Sequence, residues 1–291
     1  MSGVAGLPAG AAGLAGVTCH PGIEYAEVIG FRPLELDLYL PPSARACRAD
    51  ASGTGQPSVA GGQLPVPVVV HVHGGGWRRG SRRRPLPALG HGFYPGLAAQ
   101  GIAVAAIDYR LSGEARYPAA VDDVRAAVAW ARTALPRYGL FPGPVALWGD
   151  SAGGHLALLA ALTGTPVDGV VAWFPVTDLA GLRGPDDDHA SREALFLGAP
   201  PSQVPELARE ASPVSHVHAG APPVLLMHGD SDALVPPEQS IAFARALRNA
   251  GGSAAVVLVP GASHFWDGAL DVPGIVARSA DFVRALMPQD A

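Results

Sequence analysis

The sequence contains no lysine, so all 20 of its basic residues are arginines. This absence excludes a Ser–Lys dyad, a Schiff-base lysine and a phosphate-loop lysine, because each of these sites requires an amine. Cysteine is also scarce: Cys19 and Cys47 are too few for a disulfide framework or a zinc cluster. His71 and His73 form an H-x-H pair, but no third ligand follows at a suitable spacing, so we expect no metal.

The chain also has few charged residues and no long apolar runs. Charged residues make up 15% of the chain and the net charge is −5, which gives no reason to expect nucleic acid or acidic lipid as a partner. No uninterrupted apolar run reaches membrane-spanning length, and the N-terminus lacks the basic and apolar regions of a signal peptide. We therefore expect a cytoplasmic protein, neither spanning nor bound to a membrane, with a disordered tail at 1–22. The sequence does not distinguish a monomer from a homodimer.

What the chain does contain is a regular alternation of strand and helix patterns. IEYAEVIG and LELDLYL alternate apolar and polar residues, as half-buried antiparallel strands do. Largely apolar runs such as VPVVVHV and PVALWGD follow, separated by helical patterns, which is typical of a parallel sheet covered on both faces. The order predicts an α/β fold with about eight mostly parallel strands flanked by helices. We expect one domain at 23–288, with a small lid-like insertion at about 176–221 after the sixth strand.

Ser151 is the candidate nucleophile. It lies in WGDSAGGHLALLAAL, where a predicted strand meets a predicted helix. With 37 glycines in the chain, Gly-x-Ser-x-Gly could arise by chance, so the pattern alone decides nothing. However, a sharp strand-to-helix turn requires small residues on both sides, and Gly149 and Gly153 supply them. Such a turn exposes the serine Oγ at the N-terminus of a helix.

A serine nucleophile needs a base, and the base needs an acid that orients it. Asp232 follows the strand ending in MHG, and His264 follows the strand ending in LVPGAS, so both can reach the sheet edge that carries Ser151. The chain order serine, aspartate, histidine is the one expected for this arrangement. Asp230 is a rival acid that we expect to stabilise the loop instead, and Asp150 is expected to be structural.

The motif HGGG at 73–76 follows the strand VPVVVHV. Glycines let the backbone approach a substrate closely and present N–H groups to the oxyanion of a tetrahedral intermediate. We predict an oxyanion hole formed by the amides of Gly74, Gly75 and Ala152. His73 is expected to support this loop through a hydrogen bond.

The motifs VHVHGGGW, DYRLS, GDSAGG, HGDSDALVP and GASHFW occur in a familiar order. Over about 23–287 the chain resembles α/β-hydrolase-fold carboxylesterases, in particular the hormone-sensitive-lipase-related, BD-FAE-like branch. The resemblance implies an α/β-hydrolase fold, hydrolysis of small carboxylic esters without a cofactor, and an acid at Asp232. Relatives of hormone-sensitive lipase usually carry a helical cap before the first strand. Only about 22 residues precede it here, so the lid must come mainly from 176–221.

Two groups of residues near these motifs allow opposing interpretations. The arginines within 78–84 form either a solvated face or a surface that attracts an anionic leaving group. Four aromatic residues adjoin the motif loops, and they either belong to the core or line an apolar acyl or aryl pocket. These candidate pocket residues are Trp77, Phe174, Phe265 and Trp266.

Three functional hypotheses follow. The first is a serine carboxylesterase that acts on small-molecule esters through an acyl-enzyme. The second keeps the same triad but cleaves an N-formyl aryl amide, as an arylformamidase does, or transfers the acyl group to an acceptor other than water. The third is a catalytically silent, ligand-binding hydrolase fold, which is disfavoured because such proteins usually lose a triad member and this chain retains all three.

Overall fold

The central feature of the computed structural model, which describes residues 16–44, 65–182 and 188–288, is a sheet of eight strands. The strands are β1 (Thr18–Ala26), β2 (Leu34–Leu40), β3 (Val66–Val72), β4 (Ala103–Ile107), β5 (Pro142–Asp150), β6 (Gly169–Trp173), β7 (Val224–Gly229) and β8 (Ala254–Val259). From one edge to the other their order is β1-β2-β4-β3-β5-β6-β7-β8. β2 pairs antiparallel with both β1 and β4, whereas all the other pairs are parallel.

Helices cover both faces of the sheet. In the described part of the chain, the α-helices are α1 (Phe93–Ala99), α2 (Ala119–Ala134), α3 (Ala152–Leu162), α4 (Arg192–Leu197), α5 (Pro205–Glu210), α6 (Glu238–Asn249) and α7 (Val272–Ala285). Apolar residues of α2, α3 and α6 pack on one face, and those of α1 and α7 pack on the other. Every residue of β3, β4 and β6 is buried, because a parallel sheet between two helical layers has no solvated face. The predicted α/β fold is confirmed.

The start of the sheet corrects one expectation. We predicted a disordered tail over 1–22, but β1 begins at Thr18, which pairs with Leu40 of β2. The register between the two strands shifts after His20, and this irregularity interrupts the alternation by which a strand is recognised in a sequence. The earlier part of the predicted tail, 1–15, lies outside the described residues, as does Cys47.

A long connection separates β6 from β7, after the sixth strand as predicted. It contains α4, α5 and two short 3₁₀ helices at Pro201–Gln203 and Pro213–His216. Ser191 caps α4, since its side chain accepts a hydrogen bond from the Ala194 amide at 3.0 Å. Part of the connection, 183–187, is outside the described residues. The connection lies beyond the carboxyl ends of the parallel strands, where residues of a parallel sheet can converge on a ligand.

Candidate active site

Ser151 sits in a strained turn between β5 and α3. Its backbone has φ +52° and ψ −119°, a region that non-glycine residues rarely adopt, and its amide donates to the Trp173 carbonyl at 2.8 Å. Two glycines make the turn possible. A Cβ at Gly149 would overlap the Gly153 carbonyl, and a Cβ at Gly153 would overlap the Val72 carbonyl. The tight backbone packing therefore fixes the position of the serine at the N-terminus of α3.

The three predicted side chains meet at this turn. His264 Nε2 lies 3.0 Å from Ser151 Oγ, and His264 Nδ1 lies 2.6 Å from Asp232 Oδ2. The other carboxylate oxygen, Oδ1, accepts hydrogen bonds from the amides of Leu234 and Val235, both at 2.9 Å. Since Asp232 Oδ2 accepts from His264 Nδ1, the imidazole presents an unprotonated Nε2 to the serine hydroxyl.

Asp232 is held in its ionised form. Burial alone would raise the pKa of this carboxyl, but hydrogen bonds from His228, His264 and the Val235 amide outweigh burial and hold the pKa well below its usual range. The rival acid has a different role, as predicted: Asp230 accepts from the Gly261 amide at 2.8 Å and so ties the two loops together.

The loop after β3 requires a correction at Gly74. Its amide donates to Asp150 Oδ2 at 3.1 Å, so it is occupied and cannot serve the predicted oxyanion hole. Among the described residues, no acceptor is bonded to the amides of Gly75, Gly76 or Ala152. Gly75 (φ +123°) and Gly76 (φ +61°) both lie in the left-handed region, which glycine adopts without strain. The Gly74 prediction was wrong because the Asp150 carboxylate occupies its amide, whereas Gly76, which was not predicted, has an amide without an acceptor among the described residues.

Asp150 lies beneath this loop and is fully enclosed. Burial raises the pKa of Asp150 to about 7, although the hydrogen bond from the Gly74 amide partly offsets this effect. His71 Nε2 lies 3.8 Å from Asp150 Oδ1, and burial together with the nearby His73 lowers the pKa of His71 to about 3. Asp150 is structural, as expected, because it anchors the glycine loop to the residue before the nucleophile.

Two other histidines support the surrounding loops. His73 Nδ1 lies 2.7 Å from the Gly74 carbonyl oxygen, which agrees with its predicted support of the loop. His155, on α3, accepts at Nδ1 from Trp77 Nε1 at 3.1 Å and donates from Nε2 to the Ala211 carbonyl at 2.7 Å. Burial lowers the pKa of His155 to about 4, so this neutral ring links α3 to the end of the glycine loop and to the β6–β7 connection.

The predicted aromatic pocket is only partly present. Trp77 is 2% exposed and stacks on Phe196, and Trp266 is 2% exposed, so both are core residues and the prediction was wrong for them. Phe174 is fully buried, so it also belongs to the core, and its ring centroid lies 4.5 Å from that of His264. Phe265 contacts the same imidazole at 4.4 Å and keeps some exposed surface. Large rings beside a sheet edge fill core space before they can line a pocket.

The arginine-rich segment divides into two parts. Arg82 is buried and forms ion pairs with Glu35 and Asp37, both at 2.8 Å, and with Asp108. It therefore attaches the segment to β2 and to the end of β4, which the solvated-face interpretation did not anticipate. Its neighbours agree with that interpretation, since they are exposed: Arg78, Arg79, Arg83 and Arg84.

A cavity of about 470 Å³ adjoins the loops that carry Gly76 and Asp232. Leu179 and Leu182 after β6 and Leu234 after Asp232 contribute apolar surface to it. Arg192 also lines the cavity, and the stem of its side chain packs against Gly76. The β6–β7 connection supplies most of the cavity wall, and Arg78 and Leu234 supply the rest, whereas Ser151 and His264 do not line it.

Comparisons with known proteins identify the family of this chain. The BD-FAE family model matches residues 57–247, which is more than half of the chain. The chain belongs to the BD-FAE family. The predicted resemblance to the BD-FAE-like branch is therefore confirmed.

Solved structures and a curated relative resemble this BD-FAE family member. A truncated carbohydrate esterase from gut microbiota superposes with a TM-score of 0.76 at 25% identity, over 92% of this chain and 96% of that one. Thermogutta terrifontis esterase 2 phosphonylated by sarin gives 0.70 at 25% identity, over the same shares. Esterase LipC of Mycobacterium tuberculosis (strain ATCC 25618 / H37Rv) is 35% identical over 220 residues, which cover 70% of this chain and 54% of LipC.

The lengths of the matches differ between the two kinds of relative. This BD-FAE family member spans about half the length of the curated relatives it matches, but nearly the whole length of the two solved structures. In the part of the chain that the structure describes, no helix combines the length and the hydropathy needed to cross a bilayer.

Proposed function

We propose that this BD-FAE family member is a serine carboxylesterase that hydrolyses small carboxylic esters through an acyl-enzyme intermediate. The observation that carries the proposal is the unbroken chain of contacts from Ser151 Oγ to His264 Nε2, at 3.0 Å, and from His264 Nδ1 to Asp232 Oδ2, at 2.6 Å. Both the solved structures and the curated relative that resemble this chain carry the word esterase in their names, which supports the same activity.

The first half-reaction acylates the serine. Ser151 Oγ attacks the ester carbonyl carbon while His264 Nε2 accepts the hydroxyl proton. Asp232 holds the Nδ1–H tautomer and stabilises the imidazolium that forms. The tetrahedral intermediate then collapses, the bond to the alcohol breaks, and His264 returns the proton to the leaving alkoxide.

The second half-reaction releases the acid. Water attacks the acyl-enzyme carbonyl, His264 accepts a proton from that water, and the same proton returns to Ser151 Oγ as the acyl–oxygen bond breaks. The site thereby regains its starting protonation state, so turnover requires neither a cofactor nor a metal.

The developing oxyanion needs preorganised donors. We assign this role to the amides of Gly75, Gly76 and Ala152, because they have no acceptor among the described residues and adjoin the nucleophile turn. The Ala152 amide also belongs to the first turn of α3, where the helix dipole favours negative charge. A single such donor contributes roughly 10²–10³ in kcat in other enzymes, so the set accounts for a large part of the expected rate enhancement.

The experiment is hydrolysis of p-nitrophenyl acetate and p-nitrophenyl butyrate by wild type and by Ser151→Ala. We expect kcat to fall by roughly 10⁴ or more in the variant, because the nucleophile is gone. Ser253→Ala is the matched control, since Ser253 is exposed and directly precedes β8. Unchanged turnover in Ser151→Ala would refute the proposal.

The same preparation distinguishes an esterase from an arylformamidase. N-formylkynurenine and an aryl ester are compared by kcat/KM on wild type. A higher value for the ester supports the proposal, whereas a higher value for the formamide would assign the triad to amide cleavage instead.

A further inference from the structure

A second histidine lies beneath the acid of the triad. His228, on β7, is fully buried, and its ring makes three polar contacts. Its Nδ1 lies 2.7 Å from Ser240 Oγ on α6, and its Nε2 lies 2.9 Å from the Val235 carbonyl oxygen and 3.4 Å from Asp232 Oδ2. Among the described residues, no other charged or titratable side chain except His264 is paired with Asp232, and none except Asp232 is paired with His228.

These contacts determine which nitrogen of His228 carries a proton. A carbonyl oxygen can only accept, so the 2.9 Å contact with Val235 requires a hydrogen on Nε2. The same N–H faces Asp232 Oδ2 at the longer distance of 3.4 Å, where it adds an electrostatic attraction to the carboxylate. The Ser240 hydroxyl, which is fully buried, completes the set by orienting the ring at Nδ1.

The Asp232–Val235 turn shows which groups the Nε2 proton of His228 holds in place. Asp232 Oδ1 receives the amides of Leu234 and Val235, so the carboxylate is held by the turn that follows it. His228 holds the other side of the same turn through the Val235 carbonyl. The hydrogen bond from His228 also helps to lower the pKa of Asp232 against the opposing effect of burial.

We infer that His228 is a positioning residue of the reaction: its Nε2–H fixes the Asp232–Val235 turn and the Asp232 carboxylate in the orientation that His264 requires. The inference rests on the proposed function, because it concerns the acid of that triad. His228 itself does not contact the reacting atoms.

Two variants separate positioning from packing. In His228→Asn, the shorter amide reaches Ser240 but leaves the Val235 carbonyl and Asp232 without their donor. In His228→Gln, the longer amide places an N–H near the position of Nε2. We expect the Asn variant to lower kcat roughly tenfold while KM stays within about twofold, and the Gln variant to recover most of kcat.

The pH profile provides the readout that a packing role would leave unchanged. A carboxylate that has lost a donor favours the charged form of its imidazole partner more strongly. The acidic limb of kcat/KM should therefore move to higher pH by roughly half a unit in His228→Asn and return towards the wild-type position in His228→Gln. Equal losses of kcat in both variants, with an unchanged acidic limb, would overturn the inference.

A measurement on wild type keeps the inference testable if His228→Asn fails to fold. ¹⁵N NMR of the imidazole rings, with the His228 signals assigned by their absence in His228→Gln, reports which nitrogen is protonated. A proton on Nε2 supports the inference, and a ring protonated at Nδ1 alone overturns it. If wild type shows no Ser151-dependent hydrolysis, the proposed function fails, but the NMR result still stands independently.

Discussion

The turn that carries Ser151 and the connection between β6 and β7 are built in opposite ways. Every residue of α3 is buried, and the turn before it tolerates only glycine at positions 149 and 153. The connection, in contrast, consists of short helices of three to six residues with mixed exposure. The comparison shows that the candidate chemical groups stand on a close-packed scaffold, whereas the cavity is lined largely by described residues of the connection, many of which are partly exposed.

A few specific contacts anchor the connection to the helices around it. Gln239, on α6, accepts hydrogen bonds at Oε1 from the amides of Thr177 and Asp178, at 2.8 and 2.7 Å. Further along the connection, His155 of α3 bonds to the Ala211 carbonyl. The connection is therefore anchored at defined points near its beginning and after α5. Changes in the scaffold should alter chemistry or folding, and changes between the anchors should alter substrate preference.

The largest effect should come from Asp232→Asn. The substitution keeps the shape of the side chain but removes the charge that holds the His264 tautomer, so we expect kcat/KM for p-nitrophenyl acetate to fall by roughly 10⁴. Asp230→Asn is the matched control, because Asn can still accept from the Gly261 amide, and it should retain activity near wild type. Similar losses in the two variants would show that the acid has been assigned wrongly.

The next effect is on folding, at Gly153→Ala. A methyl group there would overlap the backbone carbonyls of Val72 and His73, neither of which can move without displacing β3. We expect the free energy of unfolding to fall by at least about 3 kcal/mol, measured by urea denaturation. Gly96→Ala is the control: it lies inside α1 with open space around it, so it should be neutral or slightly stabilising. A stable Gly153→Ala protein would contradict the close-packed scaffold.

A smaller effect, dependent on pH, is expected at Asp150. Burial raises the pKa of Asp150 to about 7, whereas an aspartate in an unfolded chain titrates at about 3.9. Between these values the folded state retains a proton that the unfolded state has released, so stability falls as the pH rises through this window and the loss is complete above about 7. The nearby His71, with its pKa lowered to about 3, stays neutral throughout pH 5–8.

Asp150→Asn tests directly whether ionisation of this carboxyl lowers the stability as the pH rises. The amide cannot ionise but can still accept from the Gly74 amide, so the variant should escape the loss of stability at high pH. We expect its Tm relative to wild type to increase by at least about 3 °C between pH 5 and pH 8, measured by differential scanning calorimetry. A Tm difference that stays constant or decreases over that range would be evidence against a buried, protonatable Asp150.

The smallest effect should come from the cavity wall, at Leu234→Ala. Leu234 contributes apolar surface to the cavity, while its backbone amide still binds Asp232 in the variant. We expect KM for p-nitrophenyl butyrate to rise about threefold relative to acetate, with kcat and Tm nearly unchanged. Leu270→Ala is the matched control, since Leu270 is 99% exposed and is not part of the cavity wall. A large fall in kcat with both esters would mean that this leucine supports the chemistry rather than substrate preference.

Local patterns made the nucleophile turn predictable from the sequence. The bounds of α3 follow from an apolar run after a glycine-flanked serine, and chain order brings Asp232 and His264 to the same sheet edge. Each of these signals depends on residues close together in the chain, or on the rule that parallel strands end at one edge. The strand and helix around the nucleophile turn, and the approach of Asp232 and His264 to Ser151, could therefore be predicted from the sequence.

The remaining errors concern contacts between segments far apart in the chain. The Gly74 amide is occupied because Asp150, 76 residues later, reaches it. Trp77 belongs to the core because Phe196 stacks on it, and Arg82 is buried because Glu35 and Asp37 surround it. Motif spacing predicts where a residue stands along the chain, but not which distant side chain will occupy its hydrogen-bonding or packing surface.

The central claim is that a strained, glycine-flanked turn makes Ser151 the nucleophile. The most direct test is labelling of wild type with a fluorophosphonate probe, followed by mass spectrometry of the modified peptide. We predict one adduct per chain, located on Ser151 and lost in Ser151→Ala. An adduct on another residue, or labelling that persists in Ser151→Ala, would contradict the claim.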